Sequence, residues 1–210
     1  LERPVPKTAK VSKAPGSSPA EGKPSSQWGK VAGIAAIVLM IAGVIWFYPS
    51  EEDELGSLIE KGYKLVNEKR YSDAESIFKK ALTVSRVEPR VYAGLGDIYF
   101  EDKRFNDSLA QFQRAIDLNP ANVEYRIKQA KSYSSKGQLK EAIASYTQAL
   151  EIDPKRGSTF YDLGLLYLEQ EELDKAREAL EMSVSLDMDS FESHEALSLL
   201  YSHEKKSDEA

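Results

Sequence analysis

The sequence predicts an all-α fold: a solenoid of antiparallel helix pairs, with a separate apolar segment ahead of it. Three observations carry this reading. A set of residues returns every 34 positions, as in Leu95-Gly96-Asp97-Ile98-Tyr99 and its counterparts around Gly62, Ala130 and Gly164. Small and large residues alternate at those positions, as close packing of two helices requires. A run at 31–48 carries no charge at all.

In chain order, residues 1–27 hold Pro4, Pro6, Pro15, Pro19 and Pro24 among Ser, Lys and Ala. Proline removes ladder donors, and the stretch has too little apolar surface to offset the entropy of ordering. A disordered tail is expected, acting as a spacer or docking on anionic lipid or an acidic partner. Residues 1–30 contain six Lys or Arg against Glu2 and Glu21, so about +4. That leaves about −10 for the rest of a chain whose formal charge is −6. An acidic body argues against nucleic acid as a partner, because phosphate binding needs clustered cations.

Residues 28–49 read as one transmembrane helix. The 18 uncharged residues from Val31 to Tyr48 would extend roughly 27 Å as a helix, close to the hydrocarbon thickness of a bilayer. Trp28 lies at one end and Trp46 and Tyr48 at the other, as in interfacial aromatic belts. A buried core helix is disfavoured, since no partner of matching apolarity exists in the sequence. A cleaved signal peptide is disfavoured because about thirty residues precede the run and Trp46-Phe47-Tyr48-Pro49 offers no small-x-small site. Gly29 and Gly33 have the spacing of a helix-dimer motif at the membrane edge. Lys30 on one flank and the acids 51–54 on the other predict an N-terminus kept in the cytoplasm and a translocated body.

Residues 50–190 form the array, in four units at 55–88, 89–122, 123–156 and 157–190. Pro49-Ser50 stops the span, and Ser50 with Asp53 reads as a capping box opening the next helix. Gly62, Gly96, Ala130 and Gly164 let two helices approach. Ala74, Ser108, Ala142 and Ala176 answer them, as do Ala81, Ala115, Ala149 and Ser183. Leu65, Tyr99, Tyr133 and Tyr167 fill the gaps, with Phe78, Phe112, Tyr146 and Leu180 on the second helices. Residues 191–210 give a partial fifth unit or a capping helix, with Leu197, Leu200 and Tyr201 at packing positions.

The period, the two-helix unit and these residues resemble the tetratricopeptide repeat family, over 55–190 fully and 191–210 in part. Lys61 and Gln129 depart from the family where it prefers Leu, and Arg86 and Met188 where it prefers Pro. The resemblance implies a right-handed superhelical solenoid whose first helices line a concave groove. The residues it places there include Ile59, Tyr63, Arg90, Asp97, Phe100, Ile127, Lys128, Lys131, Tyr161, Asp162, Leu165 and Leu168. They offer aromatic anchors, an aliphatic floor and a central cationic pair, Lys128 and Lys131, suited to an extended or helical peptide. Tyr63 and Phe100 are equally suited to packing on the neighbouring unit. Family members that dock chaperone C-termini hold carboxylates with Lys, Asn and Arg. The matching positions here are Ile59, Tyr63, Gly94, Glu124 and Lys128, so a dicarboxylate clamp is not expected.

Enzyme chemistry is not expected either. The two histidines, His194 and His203, fall on opposite sides of one helix, so they cannot share a metal. No glycine-rich phosphate loop or nucleophile motif occurs, and no cofactor or small-molecule substrate is implied. The chain has no cysteine, which excludes disulfides and thiolate metal sites. The expected protein is a single-pass scaffold of a bacterial inner membrane. Its array faces the periplasm and binds a protein or peptide of an envelope assembly, such as secretion, motility or biogenesis machinery. One alternative is an organelle-surface import or chaperone receptor with a cytosolic array. Another is the targeting half of a protein whose working domain precedes Leu1, a residue that is not an initiating Met.

Overall fold

The computed structural model describes residues 50–208, with side chains described through residue 202. The expected tail 1–27 and transmembrane helix 28–49 lie outside the described residues. Among the described residues there are nine α-helices and no strand. They are α1 (Glu51–Asn67), α2 (Tyr71–Val84), α3 (Pro89–Glu101), α4 (Phe105–Leu118), α5 (Val123–Ser135), α6 (Leu139–Ile152), α7 (Gly157–Glu169), α8 (Leu173–Leu186) and α9 (Phe191–Asp208). The first eight form four pairs, and α9 follows as a ninth, single helix. No helix among the described residues is long and apolar enough to cross a membrane.

The first helix starts as the sequence suggests. The Ser50 hydroxyl accepts from the Asp53 backbone N–H at 3.1 Å, and the Asp53 carboxylate accepts from the Ser50 N–H at 3.3 Å. Both satisfy donors that have no partner inside the helix. Pro89 opens α3, where its missing N–H costs nothing. The Asn122 side chain accepts from the Glu124 N–H at 3.0 Å and opens α5.

Every turn within a pair is built alike. Lys69, Lys103, Gly137 and Glu171 lie 34 residues apart, and all are left-handed, with φ of 59°, 59°, 77° and 58°. In each, the next residue's N–H reaches back five residues to a carbonyl of the first helix, as Arg70 does to Leu65 and Arg104 to Tyr99 at 2.9 and 2.8 Å. The left-handed residue's own N–H bonds three back, as Lys69 does to Val66 at 2.9 Å. This is the Schellman arrangement, which caps the carbonyls at a helix end and reverses the chain in three residues.

Side-chain size sets the packing. A Cβ placed on Gly62 would come 2.6 Å from the Phe78 ring, one on Gly96 2.7 Å from Phe112, and one on Gly164 2.8 Å from Leu180. Each glycine is therefore the slot for a large residue of its own pair. Gly94 extends the rule between pairs: its Cβ would lie 2.3 Å from Phe78. The Phe78 ring is thus held between α1 and α3, and Tyr63 meets it edge-on with centroids 5.3 Å apart. Each second helix packs on its own first helix and on the next, and α1 touches α3 while α3 touches α5. The core is consequently a chain of local clusters running along the stack, from Leu58 and Phe78 to Leu180 and Leu200.

Candidate functional site

The first helices α1, α3, α5 and α7 share one face, and the twelve residues expected there divide by what they touch. Ile59 and Ile127 are buried, at 3% and 6% exposure, and belong to the core rather than to an open floor. Half-buried Tyr63 packs on Phe78 and donates its hydroxyl to the Arg90 carbonyl at 2.8 Å. Its phenol is pushed well above the ordinary tyrosine range, by burial first and by the Asp97 charge next. Tyr63 therefore joins two pairs. The Arg90 side chain turns aside to Glu88 at 2.7 Å. Tyr161 packs on the cluster that joins α8 to α9.

The charges in the middle of the face form a ladder. Lys128 Nζ donates to Asp97 at 2.7 Å, between α5 and α3. One step on, Lys131 faces Asp162 at 3.6 Å, between α5 and α7. The expected cationic pair, Lys128 and Lys131, is thus balanced by carboxylates of the preceding and following pairs. Burial holds the Asp97 carboxyl above the usual aspartate range, against the pull of Lys128; Glu101 and Glu124 add to the rise. Asp162 also raises the Tyr146 phenol of α6, after burial.

Between these charges lies a pocket of about 230 Å³, lined by Asp97, Phe100, Glu101, Ile127, Lys128 and Lys131 among others. Phe100 meets Phe105 edge-on at 5.8 Å and walls the pocket at half burial. Leu165 is 39% exposed and Leu168 half-buried, which makes the α7 part of the face apolar. Such an arrangement can hold apolar side chains of a chain laid across the helices, with hydrogen-bonding carboxylates beside them. Nucleophile–base geometry is not part of it, and among the described residues no cluster of His, Cys, Asp or Glu is placed to hold a metal ion.

Not foreseen from the sequence were Glu101 in the pocket lining and the ion pair at 2.6 Å that Glu124, also a lining residue, makes with Arg156. The 32-residue separation of that pair was the available signal, and it acquires meaning only once the pitch of the stack is known.

Tetratricopeptide repeat family models match residues 89–122 and 157–189, and a further repeat model matches 130–171. The chain carries tetratricopeptide repeats. Solved structures share the fold. PilF of Pseudomonas aeruginosa is 17% identical with a TM-score of 0.68, over 74% of this chain and 71% of that one. MamA of Desulfovibrio magneticus is 18% identical with a TM-score of 0.66, over 73% and 86% of the two chains. A tetratricopeptide repeat protein of Parabacteroides merdae is 21% identical with a TM-score of 0.67, over 74% and 62%. The sequence matches no curated protein.

Proposed function

We propose that this protein is a membrane-anchored scaffold that binds a peptide segment of a partner protein across the face formed by α1, α3, α5 and α7. The observation that carries the proposal is the pocket beside Phe100. It is open and apolar on one wall, and its lysines are already committed to carboxylates, so it is shaped for side chains rather than for an anion. The solenoid fold, shared with PilF and MamA, supports a protein–protein role.

Residues 28–49 serve as the anchor in this reading, supported by the charge-free run and its aromatic ends. The positive flank stays in the cytoplasm and the array works in the periplasm of a bacterial envelope, as part of a larger assembly. A periplasm-only reporter fused after Ala210 tests the topology: activity is expected, and activity of a cytosol-only reporter would overturn it.

Binding is tested with a photo-crosslinking residue at Leu165 in intact membranes, and at Ala110, an exposed residue of α4, as the control. A discrete adduct from position 165 and none from 110 is expected. Adducts from 110 alone would move the partner off this face.

A further inference from the structure

We infer a second docking site on the opposite side of the solenoid, in the cleft between α6 and α8, for the apolar face of a lysine- or arginine-flanked amphipathic helix. This cleft measures about 480 Å³ and has α7 as its floor, within the range of about 300–1,000 Å³ of ligand sites. Leu150, Phe160, Leu163, Tyr167 and Met182 line it, and Met182 is 40% exposed.

The repeat supplies its own comparison. One unit upstream, the equivalent residues are Ile116, Arg126, Gln129, Tyr133 and Gln148. There Gln129 donates to Gln113 at 2.9 Å and Arg126 donates to Gln148 at 2.7 Å, so polar side chains span the cleft between α4 and α6. Phe160 replaces Arg126, Leu163 replaces Gln129 and Met182 replaces Gln148. Both bridges are lost together, and apolar surface lies open where they stood. Exposed apolar surface in a cleft marks interaction sites.

Charge selects the occupant. Glu151 on α6 and Glu178 on α8 stand on the two sides of the cleft, both exposed and, among the described residues, neither in an ion pair. The nearby cation, Lys175, pairs with Glu172 and lies 5.5 Å from the Tyr167 ring. A helix with leucines inward and lysines at its edges matches both features. A second copy offering α9 would bring Glu192 and Glu195 beside Phe191 and Leu199, like charge against like.

The chain has no cysteine, so Met182→Cys and Leu165→Cys each give one labelling site, in the cleft and on the α1–α3–α5–α7 face respectively. With an environment-sensitive fluorophore at each, the full protein is titrated with an 18-residue helical peptide of leucines on one face and lysines on the other, and with its glutamate twin. A blue shift at position 182 with the lysine peptide, at least about tenfold tighter than with the twin, is expected. Phe160→Arg with Met182→Gln transplants the upstream bridge, and Phe160→Arg in the labelled Met182→Cys protein should weaken that response by about tenfold or more. Circular dichroism confirms that each variant is folded. A shift at position 165 alone would overturn this inference while supporting binding on the other face. Equal affinity for the two peptides, or no response at 182, would overturn it outright.

Discussion

Asp97 accepts a 2.7 Å hydrogen bond from Lys128, one helix pair further along the stack, and does so from a largely buried position. Burial holds its carboxyl above the usual range, so the native protein binds that proton more tightly than the unfolded chain does. The associated stability is present at acid pH and lost as pH rises through the folded-state pKa. Asp97→Asn removes the titration. Wild type should therefore become less stable relative to this variant as pH rises from about 3 to about 7. Lys128→Met removes the attraction, pushes the Asp97 carboxyl higher still, and should cost about 1–2 kcal/mol at neutral pH, allowing for the partial exposure of Lys128. Urea melts of the three proteins at both pH values measure this. An NMR titration placing Asp97 at or below the ordinary aspartate range would contradict it.

Phe78 is gripped from two sides by Gly62 and Gly94. Gly94→Ala puts a methyl into the ring and should destabilise by about 1–3 kcal/mol. The cost should shrink in a Phe78→Leu background, because the branched side chain withdraws from the slot. The double-mutant coupling should then exceed about 0.5 kcal/mol. Additive effects in thermal melts would show that Gly94 serves something other than this contact.

The periodic part of the fold was legible because the same physical problem is solved four times. Gly62 and Phe78, Ser50 and Asp53, and the turn positions recur or carry a known local grammar. What was not legible depended on the pitch between pairs. Gly94 reads as an ordinary helix residue until α3 is laid against α2. Lys128 and Lys131 read as a cationic patch until the stack brings Asp97 and Asp162 to them. Ile59 and Ile127 hold positions from which a groove-facing side chain was expected, yet both are buried. Ser108 was counted only as small, whereas its buried hydroxyl donates to the Gly96 carbonyl at 2.9 Å and meets Ser132 at 3.0 Å.

The four left-handed turn residues make a matched set. Only Gly137 adopts its φ without Cβ strain. Lys69→Gly, Lys103→Gly and Glu171→Gly should each stabilise by about 0.5–1 kcal/mol, since relief of strain exceeds the added entropy of the unfolded chain. Gly137→Ala should destabilise by a similar amount. Opposite signs at 69 and 137 in denaturant titrations are the expected pattern. A loss on Lys69→Gly would mean that the lysine side chain contributes more than its backbone costs.

Thr159 lies at 1% exposure on α7, and its hydroxyl has no hydrogen-bond partner among the described residues. Burying an unpaired hydroxyl costs about 1–3 kcal/mol, whereas a methyl of similar size costs nothing to bury. Thr159→Val should therefore stabilise the array by about 1 kcal/mol or more, raising the melting temperature without changing helicity. Ser108→Ala is the converse case. It strips a partner from the Ser132 hydroxyl and the Gly96 carbonyl, and should destabilise by about 1–2 kcal/mol. The two substitutions remove the same group from equally buried sites. Thermal melts that moved both variants in one direction would show that hydrogen-bond satisfaction does not set their effect.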